Sequence, residues 1–132
     1  MNEKTIKYWI ELSNYDLETA NAMLKTKRFL YVGFMAHQTI EKMLKAYIVK
    51  IKNEVPSYTH NLLLLAEEAK LQNEFSEIQL ALLDKLTPLN IEARYPRYKE
   101  KLLESLTQEK CESILKDTRE LQKWIKAKLE KN

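Results

Sequence analysis

Ala36-His37-Gln38-Thr39-Ile40-Glu41-Lys42-Met43-Leu44-Lys45-Ala46-Tyr47 places apolar residues at intervals of three and four: Ala36, Ile40, Met43 and Tyr47. That spacing lines one face of an α-helix, whereas a strand would alternate residue by residue. Extended outward, Val32 and Ile51 fall on the same side, so a helix is expected from Phe29 or Leu30 to Ile51. Pro56, within Lys52 to Thr59, marks its end. Gly33 is the chain's one glycine. In a helix interior it costs ~1 kcal/mol relative to alanine, so close packing against a neighbouring helix is its expected use.

The same period recurs on both sides. Ile6, Trp9, Ile10, Leu17, Ala20 and Leu24 form one stripe of a first helix from about Glu3 to Leu24, which Lys25-Thr26-Lys27-Arg28 interrupts as a turn. Leu62, Leu65, Ala66 and Ala69 read as a short third helix. Ile78, Leu82, Leu83 and Leu86 read as a fourth, ended or kinked at Pro88. Tyr95-Pro96 makes Asn90 to about Leu106 an irregular connector. Thr107 is the expected N-cap of a fifth helix carrying Cys111, Ile114, Leu115, Thr118, Leu121, Trp124 or Ile125, and Leu129, with Glu109 favourable in its first turn. The expected fold is all-α: an up-and-down bundle of about five helices, three long and two short, forming one domain over residues 1–132.

Composition supports this and excludes much else. One glycine and three prolines in 132 residues are too few for an all-β protein built on tight turns. A charged fraction of 31% with 45% apolar residues is that of a folding chain. One cysteine cannot form an internal disulfide, and with two histidines it is too little for a structural zinc site. The longest apolar run, Leu62 to Ala66, falls far short of the ~20 residues of a membrane span. No signal peptide is readable behind Met1-Asn2-Glu3-Lys4, so the expected location is cytoplasmic. Phosphate-cradling glycine loops, GxSxG, HExxH and CxxC are all absent, and no cofactor or metal is expected.

Charge is uneven. Residues 1–93 hold 11 Lys and Arg against 12 Asp and Glu, while residues 94–132 hold 11 against 7. The basic end reads either as a solvated helix face or as a surface for phosphate or RNA. Three polar features stand out. Gln38, Glu41 and Lys45, flanked by Lys42, share a helix face that is either solvated or one wall of a groove. His60, in Thr59-His60-Asn61-Leu62, either anchors the loop that enters the third helix or titrates against a phosphate. Arg94-Tyr95-Pro96-Arg97-Tyr98 interleaves guanidinium forks with aromatic faces, and is otherwise a proline-stiffened turn.

Taken in order, these segments resemble the HEPN domain family. The resemblance rests on Trp9-x6-Asp16-Leu17-x2-Ala20, on Phe34 to Ala46, on Thr59-His60-Asn61-Leu62, on Ala93-Arg94-Tyr95-Pro96 and on the amphipathic last helix, so it covers essentially the whole chain. It implies a helical bundle that usually forms a homodimer, and two functional branches. One branch comprises metal-independent ribonucleases, often toxins, that use an Arg-x4–6-His motif. The other accompanies a minimal nucleotidyltransferase, commonly encoded alongside, and has been proposed to bind nucleotides; Arg94-Tyr95-Pro96 resembles this branch. The chain departs from the ribonuclease pattern, because its histidines are His37 and His60 and neither follows Arg94 or Arg97. Arg28 precedes His37 by eight intervening residues, outside the motif.

The expectation is therefore a non-catalytic homodimer that binds a nucleotide, RNA or other phosphate-bearing ligand and pairs with a nucleotidyltransferase, as in toxin–antitoxin-like systems. A ribonuclease toxin with a degenerate active site and a protein-binding adaptor are the alternatives. The candidate ligand residues are Arg94, Tyr95, Arg97, Gln38, Glu41, Lys42, Lys45 and His60, with no catalytic residue nominated.

Overall fold

A computed structural model of the chain describes residues 2–92 and 104–131, with the backbone alone at 91 and 92. Five helices are bounded within the described residues: α1 (Asn2–Lys25), α2 (Phe29–Lys52), α3 (Leu62–Glu68), α4 (Glu77–Glu92) and α5 (Gln108–Lys131). No strand occurs among the described residues.

The bundle is organised around α2, which packs against each of the other four helices. Sixteen of its 24 residues are buried, against three in α1. The apolar stripe accounts for Val32, Ala36, Ile40, Met43 and Tyr47, joined by Leu44, Ile48 and Val49 from the flanking rows. Neighbours on several sides also cover the polar row of the helix, which lies as deep as the apolar one. Ile51, expected on the core side, is instead 37% exposed in the last turn of the helix. Ile78 is likewise exposed, on the first turn of α4. Trp9 and Trp124 pack on the core as partly buried residues, and Cys111 is fully buried.

Gly33 does what its position requires. A Cβ there would lie 2.7 Å from the Cδ1 of Leu89 and 3.3 Å from its Cβ, so the missing methyl lets α4 close onto α2. Pro88 lies inside α4 without ending it. The helix continues to Glu92, and Asn90 belongs to its last turn rather than to a connector. Thr107 caps α5 as expected, its Oγ1 accepting the Lys110 amide at 3.2 Å.

With one glycine in the chain, left-handed helix endings fall to other residues. Lys27, Asn53 and Lys70 have φ near 60°. After α1, the Arg28 amide donates to Met23 O and the Lys27 amide to Leu24 O; after α3, Leu71 donates to Ala66 O and Lys70 to Glu67 O. Both are Schellman endings with lysine where glycine is usual.

Polar bonds set the register of the three long helices. Ser13 Oγ donates to Thr39 O at 2.7 Å, and Gln122 Nε2 donates to Ser13 Oγ and Asn14 Oδ1, each at 3.0 Å. These bonds tie α1, α2 and α5 together at one level.

Candidate functional site

His37, Glu41 and Lys45 recur every four residues, so a single row of α2 carries imidazole, carboxylate and ammonium one above another. Their side chains are 0%, 3% and 8% exposed. Desolvating a carboxylate is costly unless opposite charge and hydrogen bonds replace its water, and both are present here. Lys45 Nζ donates to Glu41 Oε2 at 3.1 Å. His37 Nδ1 lies 3.6 Å from Glu41 Oε1, ion-pair range rather than a hydrogen bond.

The fourth group comes from outside the helix. His60 Nδ1 lies 3.0 and 3.1 Å from the two carboxylate oxygens of Glu41. An ionised carboxylate only accepts, so Nδ1 carries the proton and Nε2 is left for other partners. His60 is held there by its neighbours: Asn61 caps α3 through the Leu64 amide at 3.1 Å, and Thr59 Oγ1 accepts the Asn61 amide. At 49% side-chain exposure, His60 is where the buried cluster meets solvent. The bond ties the loop before α3 to the polar face of α2.

The remaining candidates separate. Gln38 is buried one turn earlier and donates to Asn90 Oδ1 at 3.0 Å, tying α2 to the end of α4. Lys42 reaches the other way and pairs with Asp16 of α1. It therefore fastens two helices and stands apart from the Glu41 group. Lys45 also lies 5.6 Å from the ring centroid of Trp9, a cation–π placement that fixes its stem against α1. The polar face, weighed as either solvated or groove-lining, is in fact enclosed by α1, α4 and the segment before α3. Arg94, Tyr95 and Arg97 lie outside the described residues. His37, Asn90, Asp16 and Trp9 were not nominated. The i,i+4 spacing of His37 to Glu41 was a readable signal; the Gln38–Asn90 pair, 52 residues apart, had none.

The described residues contain no group of three or more His, Cys, Asp or Glu able to hold a metal ion. No helix among them is long and apolar enough to cross a membrane.

The profile of the HEPN domain matches residues 6–129. A protein of Methanocaldococcus jannaschii named "Putative toxin MJ1304" is 29% identical over 137 residues, an alignment covering 95% of this chain and 88% of that protein. No solved structure matches. With the bundle of helices and all but eight terminal residues falling within the matched region, the chain belongs to the HEPN domain family.

Proposed function

We propose that this chain is the HEPN component of a toxin–antitoxin-like pair, a non-catalytic homodimer that binds a nucleotide or other phosphate-bearing ligand and partners a minimal nucleotidyltransferase. The observation that carries the reading is the charge balance at Glu41. One carboxylate faces the ammonium of Lys45 and the imidazoles of His60 and His37, and His60 is the one of these that reaches solvent. An anion arriving at the exposed side of His60 completes that balance. The basic chain end supports the same reading, as does the name of the Methanocaldococcus jannaschii relative. In this reading Arg94 forks to the phosphate and Arg97 adds charge, as the family resemblance of Arg94-Tyr95-Pro96 implies.

The non-catalytic half rests on two points. The Arg-x4–6-His spacing is missing, and His37 is fully buried, which leaves His60 as the imidazole able to meet RNA. General acid–base cleavage needs two groups at the reacting phosphate. The test measures AMP, GMP and ATP binding and melting temperature for the native protein and for Arg94→Ala. Binding by the native chain, weakened by one to two decades in the variant with little change in melting, is the expected result; charge-assisted hydrogen bonds are worth ~1.5–3 kcal/mol. No midpoint shift with any of the three would overturn the ligand half of the reading. RNA cleavage abolished in Arg94→Ala would replace it with the ribonuclease reading. Light scattering should return about twice the 15.7 kDa chain mass, and a monomer would remove the dimer from the proposal.

A further inference from the structure

A cavity of about 320 Å³ lies beyond Lys45, walled by the first turns of α1, the last turn of α2 and the segment after it. Its size sits at the small end of the ~300–1,000 Å³ range of ligand pockets. Tyr8 and Trp9 supply aromatic walls, and their rings meet edge to face with centroids 5.8 Å apart. Asn2 and Asn53 supply amide groups, Glu54 a carboxylate, and Val55 an aliphatic side. Among the described residues lining it there is no lysine, arginine or histidine.

That lining selects its occupant. Its one formally charged lining group is the carboxylate of Glu54, and a flat, uncharged ring with N–H donors is suited to it. Such a ring stacks on tryptophan or tyrosine, whatever its identity, and donates to a carboxylate or an amide carbonyl at its edge. We infer that this cavity is the nucleobase subsite of the ligand proposed above, taking a purine against Tyr8 and Trp9; the inference rests on that reading and adds where the base goes.

The two halves are joined by shared parts. Trp9 lines the cavity and also stands 5.6 Å from Lys45 Nζ. Val49, on the cavity wall, follows Lys45 by one turn of α2, a rise of about 6 Å. The segment leaving the cavity at Asn53 to Pro56 returns to the Glu41 cluster at His60. The assignment has the phosphate of a base held in the cavity extend toward the cluster along these shared parts. Under this assignment the stacking residues are Tyr8 and Trp9, and Tyr95 is not one of them.

The experiment titrates adenosine, AMP and inorganic phosphate calorimetrically into the native protein, Tyr8→Ala, Val55→Asp and Tyr95→Ala. Tyr8 and Val55 are 56% and 78% exposed, so both variants should keep the fold, which circular dichroism melting checks. The expected result is that Tyr8→Ala and Val55→Asp weaken adenosine and AMP about tenfold, while Tyr95→Ala does not. AMP binding that survives in both cavity variants, or is lost in Tyr95→Ala alone, overturns the subsite and leaves the nucleotide reading standing. Adenosine binding that depends on Tyr8 but gains nothing from the phosphate of AMP keeps the subsite and overturns the phosphate half of that reading. Absence of binding by both adenosine and AMP overturns both.

Discussion

Replacing Glu41 by glutamine tests whether the centre of the molecule is held by charge. The side chain is 3% exposed and accepts from Lys45 and His60, with His37 close by. Glutamine has nearly the same shape but no charge, and it leaves an ammonium with only 8% of its side chain exposed facing a neutral amide. Breaking a buried pair from one side typically costs ~3–5 kcal/mol. The lower figure applies, since glutamine can still accept one hydrogen bond from Lys45. For a chain of this length ~1 kcal/mol moves the melting midpoint by about 4 °C, so a fall of about 12 °C is expected. Removing the second charge should return part of that loss, because Glu41→Gln with Lys45→Met leaves no unpaired ion. The assay is thermal and urea unfolding of the two single variants and the double variant as a cycle. A coupling of at least ~1.5 kcal/mol is expected. Singles whose losses simply add, or a Glu41→Gln loss below ~1 kcal/mol, would refute the argument, because the pair would then behave as a solvated surface bridge.

Gly33→Ala sets a gain in helix propensity of ~1 kcal/mol against a Cβ placed 2.7 Å from Leu89 Cδ1, with the leucine's own Cβ at 3.3 Å. Overpacking costs ~1–3 kcal/mol, so the variant should melt lower, and adding Leu89→Ala should abolish the difference between glycine and alanine at 33. Lys70→Gly relieves an exposed residue held at φ 60° and should stabilise by up to ~1 kcal/mol in urea unfolding, whereas Lys70→Ala should not. Burial pushes the Cys111 thiol up to about 11 from 9.0. At pH 8 its thiolate fraction then falls about a hundredfold, so a thiol reagent should label the native protein slowly and the unfolded chain fast. The sign for stability follows: below pH 9 both states keep the proton, and from pH 9 to about 11 only the unfolded thiol ionises, so this group's contribution falls across that window.

Periodicity alone was enough for the helices, their order and most of their ends, because an amphipathic helix writes its buried stripe into residues a few positions apart. Val32 to Tyr47, the cap at Thr107 and the turn after Leu24 are all of this kind. The family was legible for a similar reason, since short motifs kept their order along the chain. What local spacing does not encode is how many sides of a helix are covered. Only the packing of all four other helices around α2 turned Gln38, Glu41 and Lys45 from a polar face into an enclosed row. The partners of that row come from far along the chain: Asn90 for Gln38, Asp16 for Lys42, His60 for Glu41 and Trp9 for Lys45. Such pairings depend on helix crossings and on the path of the loop before α3, set by the whole core at once. The identities of the charged residues were therefore local information, and whether each became a fastener between helices or part of a site was decided by the tertiary fold, because burial fixes which charges must find a partner.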